Sequence, residues 1–161
     1  MSTAELFKWS DSYNVGIQEV DEQHRVLVSL LNQLHEAIRE RRGKAASREI
    51  LDHLAEYTRT HFLLEESLMR LTHYPDFESH KQQHEDLIQQ VRDLQYKLDQ
   101  ENTTITFELL HFLKNWLTQH INDRDKRFGT FFPNAGLTQY ATWSDEVQTT
   151  MKKKKWWWKF W

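Results

Sequence analysis

Apolar residues recur at steps of three and four over four stretches of the chain, and this periodicity predicts four helices. From about Asp21 to Arg42 the stripe is His24, Leu27, Val28, Leu31, Leu34 and Ile38, and it stops at Gly43, a residue suited to the position just past a helix. A second helix is expected from Ser47, which suits an N-cap, to Leu71, with Ile50, Leu54, Tyr57, His61, Leu64, Glu65 and Leu68 inward. Tyr74-Pro75-Asp76 breaks the chain, because proline disfavours helical backbone in the residue before it. The third stripe, over about 76–100, is Phe77, His80, His84, Leu87, Val91, Leu94 and Leu98. The fourth, over about 104–127, turns Ile105, Leu109, Phe112, Trp116 and His120 inward. Four such helices with short connections predict an all-α fold, an antiparallel up-down-up-down four-helix bundle. Residues 1–20 carry aromatics and turn formers without periodicity, so they are expected to form an extended N-terminal arm packed on the bundle.

Composition narrows the chemistry. A chain of 161 residues is one domain by its length and large enough for one core. Four Gly and two Pro leave little for a turn-rich β fold, and the absence of Cys excludes disulfides, thiolate metal sites and cysteine nucleophiles. The N-terminus lacks the basic and apolar regions of a secretory signal, and no run approaches the roughly 18 apolar residues that span a bilayer. A cytoplasmic location is expected. The domain is expected over residues 1–136, followed by a linker or short helix at 137–151 and a distinct tail at 152–161.

Polar residues inside the apolar stripes carry the candidate chemistry. His24, His61 with Glu65, His80 with His84, and His120 all fall on inward faces, where such groups are costly unless satisfied. Residues four apart share one helix face. A lone histidine there is more often a hydrogen-bonded core residue, but in an antiparallel bundle these positions gather at one end. Imidazole and carboxylate without thiolate favour iron, zinc, copper or nickel over magnesium or calcium. His35, His53, His73 and His111 lack this convergence; one of them is a candidate to hold a ligand's second ring nitrogen. On a straight helix, Asp123 lies nearer the His120 face than Asp125, which is about 140° away.

These segments resemble the hemerythrins, most closely the single-domain bacterial ones. The resemblance is carried by Trp9 with Gly16, by Asp21-Glu22-Gln23-His24, by His61-Phe62-Leu63-Leu64-Glu65-Glu66 and by Tyr74-Pro75. It continues through His80-Lys81-Gln82-Gln83-His84 and Trp116-Leu117 to His120-Ile121 and Asp125, and covers about residues 7–133. It implies two non-haem iron ions (Fe2+/Fe3+) that bind O2 reversibly. By position, His80, His84 and His120 would hold one iron, and His24 and His61 the other. Glu65 and Asp125 would bridge them with a solvent-derived oxo or hydroxo group. The resemblance thus selects Asp125 over Asp123, and it requires a π-bulge or a loosened helix end there. It also implies that Leu27, Trp116, Leu117 and Ile121 wall the O2 pocket. The expected role is an O2 carrier, storage or delivery protein rather than an enzyme. The rivals are a di-iron oxidase or peroxidase, and an O2 or redox sensor acting through a separate partner.

The chain ends Lys152-Lys153-Lys154-Lys155-Trp156-Trp157-Trp158-Lys159-Phe160-Trp161. Removing these five lysines from the formal net charge of −3 leaves −8 for residues 1–151, so the tail alone is basic. Tryptophan settles at bilayer headgroups and lysine is drawn to anionic leaflets. Lys152–Trp161 is therefore expected to attach the protein peripherally to an anionic membrane surface, on the inner face of the membrane. Single-stranded nucleic acid also suits basic and aromatic residues, but the acidic body argues against it. A tail without function is the third reading.

Overall fold

The structure is a computed structural model that describes residues 5–101, 104–134 and 140–158, with the backbone alone described at 134, 141, 142 and 152–158. Its long helices are α1 (Gln18–Arg39), α2 (Lys44–Leu71), α3 (Phe77–Gln100) and α4 (Phe107–Gln119). A π-helical segment, His120–Asp125, continues α4 and leads into α5 (Lys126–Phe131); α6 (Tyr140–Trp158) follows. The described residues contain helices and turns only, and the four long helices form the expected bundle.

The arm is tied down by paired hydrogen bonds. Phe7 donates its N–H to Asn32 Oδ1 at 2.9 Å, and Asn32 Nδ2 donates back to the Phe7 carbonyl at 2.8 Å. Phe7 is 1% exposed and reaches the same core as Leu30, Leu31 and Leu34 of α1. Further along, Val15 N–H donates to Asp21 Oδ1 at 2.7 Å, anchoring the arm where it enters α1. Gly129 of α5 packs so closely on this point that a Cβ there would lie 2.0 Å from the Val15 carbonyl oxygen.

Helix boundaries differ from the sequence expectation at several ends. α1 starts at Gln18, three residues before Asp21, with Ile17 as an uncapped N-cap. Its end comes at Arg39, and Arg41 turns the chain with φ 54°. Ser47 does not cap α2: Gly43 holds that position and Ser47 is buried in the first turn. α4 begins later than expected, at Phe107, with Thr106 Oγ1 accepting from Leu109 N–H at 3.2 Å.

The fourth stripe is also rotated. Phe112, expected inward, is 42% exposed, while Leu110 is fully buried and Leu117 9% exposed. The buried face of α4 is therefore centred one position later, on Leu110 and Leu117. In α3 only His80, His84 and Leu87 are buried; Val91, Leu94 and Leu98 are half-covered.

Of residues 137–151, expected as a linker or short helix, 140–151 form the first part of α6, which runs unbroken past residue 151, and 137–139 lie outside the described residues. Trp143, Val147 and Met151 form a buried stripe one turn apart and join the core. Trp143 Nε1 donates to the Leu64 carbonyl at 2.9 Å and lies 3.0 Å from Ser67 Oγ. Tyr140 Oη and Ser144 Oγ donate to the two oxygens of Glu19, at 2.6 and 2.7 Å. The side chains of the Lys/Trp tail lie outside the described residues.

Candidate metal centre

Each helix of the bundle presents its polar inward residues at one end. His24 comes from α1, His61 and Glu65 from α2, His80 and His84 from α3, and His120 and Asp125 from the π segment. All seven are buried, none more than 4% exposed. Asp123, the straight-helix alternative, points to solvent and pairs with Arg127 at 3.0 Å. The π turn explains the choice: widening the helix carries a residue five positions on back over the starting face. His120 Nε2 and Asp125 Oδ1 accordingly lie 3.1 Å apart.

The donor atoms fall into two groups, one of His80, His84, His120 and Asp125, the other of His24, His61, Glu65 and Asp125, each with its atoms within 4.8 Å of one another. The carboxylates divide their oxygens between them. Asp125 Oδ1 faces His80 and His120, both at 3.1 Å, and Oδ2 faces His24 at 3.0 Å. Glu65 Oε1 faces His80 at 3.2 Å and Oε2 faces His61 at 3.3 Å.

These contacts are short but poorly directed. Both Glu65 oxygens, both Asp125 oxygens and the Nε2 atoms of His24 and His80 lack a properly oriented hydrogen bond despite their 3 Å neighbours. His84 Nε2 and His120 Nε2 meet at 3.0 Å, lone pair toward lone pair unless one carries a proton. The atoms aim at common points between them rather than at each other. That is the arrangement expected of ligands, and the residues present fit a pair of transition-metal ions.

Without a metal the charges settle on particular residues. Burial works against the His80 cation, but the Glu65 and Asp125 carboxylates overcome it and raise its pKa to about 10. Burial and Asp125 likewise oppose in His24, and the net shift is upward. Burial dominates in His61 and His84, whose pKa values fall. Glu65, despite burial and its repulsion from Asp125, is drawn down to about 2 by His80 and His61, and Asp125 is also held well below the usual range by its histidines.

Three residues missed as site residues hold the outer ring nitrogens. Gln23 Oε1 lies 2.5 Å from His61 Nδ1, Glu66 Oε2 lies 2.9 Å from His84 Nδ1, and the Gln83 amide lies 3.2 Å from His120 Nδ1. None of these partners is a histidine, contrary to the expectation for His35, His53, His73 and His111. Each stands next to one residue of the buried cluster in the chain and serves the histidine on the following helix. Their adjacency to His24, Glu65 and His84 was the available signal. Outer partners of this kind fix the tautomer and ring direction.

The apolar neighbours complete the centre. Phe62 stacks on His84 with centroids 3.7 Å apart and planes 3° apart, and Trp116 stacks on His120 at 4.5 Å and 13°. Leu27, Phe62, Trp116 and Leu117 also line an apolar cavity of about 50 Å³ within the bundle, whose walls include none of the seven buried polar residues. Ile121 is fully buried but is not among that cavity's walls.

The family model described as the Hemerythrin HHE cation binding domain matches residues 15–132. The chain belongs to the hemerythrin family. Among its relatives are the bacteriohemerythrin of Stenotrophomonas maltophilia, 36% identical over 84% of this chain and 87% of that protein, and the bacteriohemerythrin of Pseudomonas aeruginosa, 37% identical over 73% and 75%. A crystal structure of wild-type hemerythrin superimposes with a TM-score of 0.75 at 28% identity, covering 79% of this chain and 98% of that one. The hemerythrin match ends at residue 132, so α6 lies beyond it.

Proposed function

We propose that this hemerythrin binds O2 reversibly at a non-haem di-iron centre, as a carrier, storage or delivery protein without catalytic turnover. The carrying observation is that Glu65 and Asp125 each turn one oxygen toward each of two histidine groups, a layout suited to bridging two ions. His80, His84 and His120 would hold one iron and His24 and His61 the other, with Glu65, Asp125 and a solvent-derived oxo or hydroxo group between them. Such an iron pair, when bound, supplies the electrons for reversible O2 uptake. The protein's own part is to hold the ligands through Gln23, Glu66 and Gln83 and to keep the site dry with Leu27, Phe62, Trp116, Leu117 and Ile121. The apolar side chains packed around the site limit access of water and larger substrates, which favours binding over turnover.

Iron content and the visible spectrum test this reading. The purified protein is expected to carry two irons per chain and no haem, and the reduced form to gain in air a visible absorption band that fades under vacuum. One zinc per chain after iron-replete growth removes the di-iron assignment. Irreversible oxidation with stoichiometric peroxide release makes the protein an oxidase.

A second reading concerns location, and α6 supports it. That helix is fastened to the bundle through Trp143 and continues unbroken into Lys152–Trp158, so the basic, Trp-rich end is carried on a held element. Among the described residues no helix is long and apolar enough to cross a membrane. The tail would attach the protein peripherally to an anionic inner leaflet and concentrate O2 near a membrane-bound consumer such as a terminal oxidase. Vesicle binding by the full chain and by one truncated after Met151 tests this attachment.

A further inference from the structure

Arg124 stands in the chain between the two aspartates that compete for the centre. Counted from His120 on a straight helix, Asp123 lies about 60° to one side of the His120 face and Arg124 about 40° to the other. A straight helix that turned Asp123 inward would therefore also carry a guanidinium toward the five buried histidines. His120, Ile121 and Asp125 of this segment are all buried, so a cation turned in beside them would lose its water. A buried charge without a partner is strongly destabilising, and metal ions at the centre would add positive charge of their own.

The π turn gives Arg124 a different place. Its Nη1 reaches across to α3 and donates to Ser79 Oγ at 3.1 Å. Turned with its oxygen toward Arg124, the Gln83 amide accepts from Nε at 3.0 Å and from Nη2 at 2.9 Å, and its nitrogen faces His120 Nδ1 at 3.2 Å. One planar guanidinium thus spans a turn of α3 and holds the residues that immediately precede His80 and His84. The Arg124 side chain keeps 26% exposure, so its charge stays solvated, and Asp123 remains outside with it, 3.7 Å from Arg124 Nε. The preference is tertiary. An inward arginine is costly only because neighbouring helices bury it, and its alternative partners belong to α3.

We propose that Arg124 is a positioning residue that locks the π turn and so selects Asp125, rather than Asp123, as the carboxylate shared by the two metal positions. It acts in both directions: the bonds to Ser79 and Gln83 hold the π form, and the cation penalises the straight helix. His120 fixes where the turn begins, and Arg124 fixes how many residues it contains. The proposal rests on the reading of Asp125 as a metal ligand.

A mutant cycle in the iron-loaded full chain tests this, read as iron retained per chain after chelator challenge. With Arg124 in place, Asp125→Asn is expected to lower retention sharply and Asp123→Asn to leave it within twofold. In an Arg124→Leu background, which tolerates either register, Asp123→Asn should cost at least fivefold and the effect of Asp125→Asn should shrink by at least threefold. Hydrogen exchange supplies a readout besides iron: Arg124→Leu should change protection over His120–Lys126 while α1 and α2 keep theirs. Should Arg124→Leu not fold, Arg124→Gln carries the same test, because it removes both the charge and the fork. If the two asparagine variants behave in that background as they do with Arg124 present, the turn is held without Arg124 and the proposal is overturned. It is equally overturned if Arg124→Leu lowers retention while Asp123→Asn stays harmless, since Arg124 then supports the fold without choosing the aspartate. If Asp125→Asn is harmless with Arg124 present, the reading of Asp125 as a ligand is what fails, and the proposal falls with it.

Discussion

His120 Nε2 and Asp125 Oδ1 lie 3.1 Å apart although five residues separate them on one continuous helical stretch. A straight α-helix would place them about 140° apart around its axis. The π turn closes that angle, and the same turn leaves Asp123 in solvent beside Arg127. A local helical defect thus selects which aspartate enters the centre.

Asp125→Asn is expected to lower metal retention by at least tenfold, because it removes a charge shared by both histidine groups. Asp123→Asn should leave retention within twofold. Metal analysis after chelator challenge measures both. A larger loss from Asp123→Asn would mean that the π turn does not persist in solution.

Metal uptake should release protons at neutral pH. In the metal-free protein Glu65 and Asp125 raise the His80 pKa from 6.5 to about 10, against the effect of burial. That raised value stabilises the metal-free fold below pH 6.5, and the contribution is lost as pH rises toward about 10. A metal ion must displace the same proton, so metal affinity is expected to rise with pH across the neutral range. Calorimetry in buffers of different ionisation enthalpy reads the proton count; zero release at pH 7 would contradict the charge distribution described here.

Trp143→Ala should release α6 while sparing the histidine cluster. Trp143 is 1% exposed and bonds to the Leu64 carbonyl, and large aromatic truncations in cores cost about 3–5 kcal/mol. Hydrogen exchange should show lost protection over Tyr140–Met151 with α1 and α2 unchanged. Protection lost uniformly would mean that α6 and the bundle unfold as one unit.

Gly129→Ala sets two effects against each other. Helix propensity alone favours Ala by about 1 kcal/mol. The added Cβ, however, would sit 2.0 Å from the Val15 carbonyl oxygen, a backbone atom in a segment held by Asp21. Overpacking of this kind costs about 1–3 kcal/mol, so a net loss of stability is expected in denaturant titration. A stabilised variant would show that the arm can move aside.

The helices, their stripes and the inward polar residues were legible because each rests on periodicity within one segment. His80 and His84 share a face by spacing alone, and antiparallel order is enough to place His24 near His61. Spacing also pointed to the wrong aspartate, since a π turn has no local sequence signal and only the resemblance named Asp125. Gln23, Glu66 and Gln83 were missed for a related reason: each acts on the next helix, so its role is set by inter-helix geometry. Residues 137–151 were read as a linker or short helix because Trp143, Val147 and Met151 are three apolar residues in a run of Ser, Thr, Asp and Gln, and their stripe has meaning only against α2. The sequence by itself determined the bundle and the kinds of atom gathered at one end, because hydrophobic burial follows a local pattern. The tertiary structure decided which atoms face one another, because distances between helices depend on packing that no single segment encodes.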